Sequence, residues 1–183
     1  MAKERRPAVD YAVYLAVRLV VTVVQALPTD WAFGFASILA QVAYRVDRRH
    51  RKVAAENLAH AFPAIANNPA AIDRLVWGCY RHLAMLLIEI ILLPRKLKVD
   101  HWRSYASLIH GERVLDGLVS KRATLIVTAH FGNWELAGYA LGALGFRTYA
   151  IARVLDNPHL ERFLKQFRQA TGQQIIAKKD RLE

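Results

Sequence analysis

Two side chains able to move a proton, His130 and Glu135, stand close together at the end of an apolar run, in the stretch Thr124–Glu135, TLIVTAHFGNWE. An imidazole beside an ionised carboxylate makes a base and its orienting partner. The carboxylate accepts one ring N–H and fixes the tautomer, and the other ring nitrogen is left to take a proton from a substrate hydroxyl. The spacing sets a condition on the backbone. Five residues apart on one continuous helix, the two would point about 140° away from each other, so they meet only where a helix starts between them. Gly132 permits a sharp turn, Asn133 is a good N-cap, and Glu135 then falls in the first helical turn, where the helix dipole favours negative charge. The same residues admit a second reading, a buried histidine with a helix-capping Asn and a salt-bridged Glu. Two other chemistries are disfavoured: no G-x-S-x-G elbow supplies a serine nucleophile, and H-x4-E lacks the paired histidines and further ligands of a zinc site. Neither a metal nor another cofactor is expected.

The flanking elements must bring these groups to one edge. Ala123 to Thr128 is aliphatic and β-branched without polar alternation, the pattern of a strand covered on both faces in a parallel sheet. Such sheets gather ligands at the carboxyl ends of their strands. Leu136–Leu144 predicts a helix ended by Gly145 and Arg147–Ala152 predicts the next strand, so 123–152 is expected to be a right-handed βαβ unit. Arg153 then occupies the carboxyl end of the second strand, on the edge that carries His130, where a guanidinium can bind a phosphate bidentately. Asn157-Pro158 starts an amphipathic helix with Leu160, Phe163, Leu164 and Phe167 toward the core. Asn157 is thus either a plain helix cap or a substrate contact. Gln173–Ala177 reads as a third strand.

The N-terminal half is helical in pattern. A basic start, with Lys3, Arg5 and Arg6, precedes the apolar stretch Tyr11–Leu27, which is interrupted by Arg18 and reads as an uncleaved membrane anchor that either spans or lies in the interface. Trp31–Val46 forms a second helix with Asp30 as N-cap. DRRHRK, residues 47–52, opens a third that stops at Phe62-Pro63, and its basic face is either solvated or touches phospholipid headgroups. Asn68-Pro69 begins a long helix that ends at Pro94 and is apolar on nearly every face around Leu83–Leu93, hence deeply buried or pressed against lipid. Within it Cys79, the only cysteine, reads as a small core hydrophobe, and a disulfide framework is excluded. Gly111–Val119 predicts a short helix.

The chain has 183 residues, enough for one domain with a core, and carries 26 Lys and Arg against 15 Asp and Glu, a net charge of +11, with 54% of residues hydrophobic. That balance suits an anionic membrane surface or an acidic carrier protein. Nucleic acid is set aside, because no recognition motif or interleaved aromatic and basic stripe is present.

HFGNWE, His130–Glu135, resembles the H-x4-D/E signature of the glycerolipid and lipid A acyltransferases, and its Gly-Asn-Trp-Glu core looks like the lipid A lauroyl/myristoyl branch. The runs around Arg48-Arg49, Asn57-Leu58 and Ala61-Phe62-Pro63, GERVLDGLV at 111–119 and RVLDNP at 153–158 are similar to the same family. The resemblance implies an α/β fold of glycerolipid acyltransferase type: membrane-associated helices in residues 1–46, then an acyltransferase domain in 47–183. That domain opens a mostly parallel sheet with flanking helices and is incomplete, since the family domain continues past this point. It also implies transfer of a fatty acyl group from an acyl carrier protein thioester to a hydroxyl of a lipid A precursor, on the cytoplasmic side of the inner membrane. In that scheme His130 is the general base and Glu135 its partner, while Phe131, Gly132, Asn133, Arg153 and Asn157 face substrate. Other acceptors in the superfamily are phosphatidylinositol mannosides and lysophospholipids, and an inactive truncated relative is the non-enzymatic alternative.

Overall fold

The computed structural model describes residues 6–98, 100, 102–105, 107, 109–120 and 123–178; Lys3, Arg5 and the residues after Lys178 lie outside them. Four helices fill the first half: α1 (Pro7–Ala26), α2 (Thr29–Val46), α3 (Arg48–Ala61) and α4 (Pro69–Lys96). Their ends follow the residues that stop or cap helices. Asp47 accepts the backbone N–H of His50 at 3.1 Å and caps α3, Phe62-Pro63 closes it, and Asn68 accepts from the Ala71 N–H at 3.1 Å to start α4. Two boundaries differ from expectation. α2 begins at Thr29, so Asp30 lies inside the first turn rather than capping it. α4 runs through Pro94 to Lys96, with Leu97 N–H still bonding the Leu93 carbonyl at 2.8 Å; Pro94 gives up the bond to the Ile90 carbonyl and its ring crowds that carbonyl, and the helix continues for only two residues beyond it.

The second half holds α5 (Gly111–Val119), α6 (Trp134–Ala143), β1 (Tyr149–Arg153), α7 (Pro158–Gln169) and β2 (Gln174–Lys178). β1 and β2 pair in parallel, in register from Tyr149 opposite Gln174 to Arg153 opposite Lys178. The architecture is therefore largely helical with a short parallel sheet, an α/β arrangement. The parallel unit is β1–α7–β2 and not 123–152, because 123–129 forms neither strand nor helix and leaves Leu125 88% and Val127 85% exposed. The physical reason is pairing: β1 and β2 satisfy each other, no third described strand offers 123–129 a ladder, and an unpaired backbone cannot be buried without losing its hydrogen bonds.

The chain divides into two compact units, one running from Val24 to Ile91 and the other taking the chain up to Val23 and again from Leu92. In the first, Ala32, Ala36 and Ala40 form a buried stripe on α2, and Ile72, Val76, Ala84, Leu86 and Ile88 are the buried face of α4. Leu83 and Leu87 are exposed although they stand seven and eleven residues after the buried Val76, on the same helical face, so the covered face of α4 changes along its length. Cys79 is exposed too, a correction to its reading as a core residue: it stands seven residues after the buried Ile72 and seven before the buried Leu86, and helical spacing alone does not say which stretch of a face is covered. In the second unit, Leu93 and Leu97 pack with Tyr139 of α6, and Trp102, Leu136, Ala140 and Phe167 close around them. This cluster fixes α6, the helix that carries Glu135.

Candidate active site

The turn between His130 and Glu135 has the form that their spacing requires. Gly132 takes φ +58°, a left-handed conformation that side chains disfavour, and Asn133 accepts the Leu136 N–H at 3.1 Å as N-cap. α6 starts at Trp134, and Glu135 sits in its first turn. The chain therefore does reverse from coil to helix between the two groups, at a helix N-terminus whose free N–H groups and dipole favour negative charge.

Within this frame the side chains divide. The His130 imidazole is exposed and packs on the Trp134 ring, centroids 4.7 Å apart at 56°. Phe131 is 90% exposed. Glu135 turns inward and makes a two-pronged ion pair with Arg168 of α7: Arg168 Nε donates to Oε2 at 3.0 Å and a terminal guanidinium nitrogen donates to Oε1. Among the described residues its hydrogen bonds run to Arg168 and none joins it to His130. Of the second sequence reading, the capping Asn and the salt-bridged Glu are therefore present, but the histidine is exposed rather than buried. The bond to Glu135 pushes the Arg168 guanidinium above its usual range, against the opposing effect of burial, so the cation persists at every working pH.

Arg168 is the residue that sequence reading missed. It follows Leu164 by four positions, on the flank of α7's apolar face, where a cation is half-buried and needs a partner. Close packing holds the two helices' ends in place. A Cβ at Gly142 would come within 2.5 Å of Thr171 Oγ1 and 2.9 Å of the Thr171 carbonyl, and one at Gly138 within 2.5 Å of Gln173 Nε2. The bare faces of these two glycines let α6 lie directly on the turn after α7.

Arg153 ends β1, exposed, with Lys178 as its register partner on β2. Adjacent residues of parallel strands share a face, so two cations stand together at the carboxyl edge of the sheet. Asn157 is occupied as a cap: its Oδ1 accepts from the N–H groups of His159 at 3.0 Å and Leu160 at 3.2 Å, and its Nδ2 donates to the Asp10 carbonyl at 2.8 Å. Among the described residues no cluster of His, Cys, Asp and Glu could hold a metal.

The sequence matches the family described as bacterial lipid A biosynthesis acyltransferase over residues 2–183. No curated protein and no solved structure matches the chain.

Proposed function

Because the chain belongs to the bacterial lipid A biosynthesis acyltransferases, a family whose reaction is acyl transfer, we propose that His130 is the general base of an O-acyl transfer from an acyl carrier protein thioester to a hydroxyl of a lipid A precursor. The observation that carries this reading is the turn itself: an exposed imidazole, a left-handed Gly132 and a capping Asn133 lead into α6, whose first turn carries a carboxylate. His130 takes the hydroxyl proton as the oxygen attacks the thioester carbonyl. The tetrahedral intermediate expels the carrier thiolate, which recovers that proton from the imidazolium, so the base is restored with each turnover. N–H groups at the start of α6, with Asn133 and Gly132, serve as oxyanion donors in this reading, and Phe131, exposed beside His130, offers apolar surface for the acyl chain.

Glu135 serves through charge. A carboxylate has about four lone-pair sites, so two bonds to Arg168 leave room for a ring N–H of His130 once that ring rotates off Trp134. Arg153, with Lys178 beside it, supplies the charge for an acceptor phosphate. The protein's place is the cytoplasmic face of the inner membrane. In support, α1 and α4 are both long and apolar enough to cross a bilayer by length and composition, and the net charge of +11 favours an anionic leaflet. The test is an assay with acyl carrier protein thioester and a lipid A precursor, run in parallel with lysophospholipid and phosphatidylinositol mannoside acceptors. Transfer to the lipid A precursor alone is the expected result, and transfer only to another acceptor overturns the assignment.

A further inference from the structure

The apolar first helix meets a polar partner, and that meeting limits how it can sit in a membrane. Asp10, Tyr11, Tyr14 and Arg18 lie along one side of α1 at helical spacing, and all four touch α7 or its cap. The Asp10 carbonyl accepts from Asn157. The Tyr11 and Tyr14 rings flank His159 at 5.3 and 5.7 Å, and the Arg18 guanidinium lies over the Phe163 ring at 5.1 Å. α7 is not a helix that lipid accepts. It carries Glu161, Arg162, Lys165 and Arg168, with Arg162 and Lys165 exposed.

We propose that α1 lies in the plane of the membrane as an interfacial helix, its docked side on α7 and its opposite side in the acyl-chain boundary of an anionic leaflet. This rests on the membrane location of the preceding reading but not on its chemistry. A spanning α1 needs its whole length, since 20 residues at about 1.5 Å each just match a hydrocarbon core of about 30 Å. The turns from Asp10 to Arg18 cannot enter that core without taking α7's charges with them. The remainder, Leu19–Ala26, is eight residues, about 12 Å, and too short to cross. Lying flat removes the conflict. Val9, Val13, Leu19, Val20 and Val23, all exposed, sit opposite the docked stripe and form an uncharged face, while Arg18 stays on the water side over Phe163. The bilayer is the occupant that this uncharged apolar face on a strongly basic chain fits.

Sidedness decides between the two arrangements. In a Cys79→Ser background, Arg6→Cys and Pro28→Cys place single thiols just before and just after α1. They are treated with a membrane-impermeant maleimide in sealed inverted inner-membrane vesicles, before and after opening with detergent. Both thiols labelling from the same side is the expected result, and one of them labelling only after detergent overturns the proposal. A second measurement needs no topology. Purified full-length Leu19→Glu should bind phosphatidylglycerol-containing vesicles on the order of tenfold or more weaker than wild type, and equal binding overturns the lipid contact. Neither readout involves turnover, so a chain that labels as expected yet transfers no acyl group contradicts the enzymatic reading and leaves the helix assignment standing.

Discussion

The residues of the site divide by exposure: His130 is open to solvent while Glu135 is tied to a half-buried guanidinium. That division has a measurable consequence. Glu135→Gln keeps the shape but leaves Arg168 a cation without its counter-charge, so a loss of about 1–3 kcal/mol in stability is expected alongside any loss of activity. Adding Arg168→Gln should recover part of that stability, because the stranded charge goes with it, while activity stays low. A double-mutant cycle on urea midpoints and on transfer rates separates the two effects, and additive stability losses would show that the pair contributes nothing. Much at this scale was legible in the sequence. Gly132, Asn133 and the helix start follow from local backbone rules and lie where the spacing requires. Arg168 does not follow from such rules, because its partner is 33 positions away and only tertiary packing brings the two together.

Among the elements, α6 is held by contact rather than by propensity, and two glycines make the difference visible. Alanine for an exposed helical glycine gains about 1 kcal/mol in propensity, and Gly78 on α4, with open space around its Cβ position, should show that gain as a raised melting temperature. At Gly142 the same change meets Thr171 side-chain and backbone atoms, and overpacking of about 1–3 kcal/mol outweighs the propensity. Gly142→Ala should therefore lower the melting temperature, and two shifts of the same sign would contradict the packing described. The cap of α3 predicts a pH effect. The His50 N–H and ring hold the Asp47 carboxyl below its usual range, so its contribution is present above the unfolded value near pH 4 (about 3.9) and is lost as pH falls through the lower folded value. Asp47→Asn keeps a capping oxygen without the titration, so its melting temperature should fall less than wild type below about pH 4; coincident acid profiles would remove the cap's role. Helix positions were legible because caps and periodicity are local signals. The strand expected at 123–128 was not realised, because an apolar run specifies a strand only where a neighbour pairs with it, and the pairing went to β1 and β2.

For the whole molecule, membership of the lipid A acyltransferase family and the proposed His130 chemistry meet in one reaction. The charge of +11 predicts that association with anionic vesicles weakens as salt rises, while the apolar face of α1 keeps a fraction bound; complete release by salt alone would leave only surface electrostatics. The most direct test is transfer of a labelled acyl group from acyl carrier protein to a lipid A precursor by membranes containing wild type or His130→Ala. Among the described residues the exposed imidazole packs on the Trp134 ring, so its removal should leave the melting temperature nearly unchanged while the rate falls by roughly 10²–10⁴. Wild-type transfer that survives in His130→Ala would contradict the mechanism.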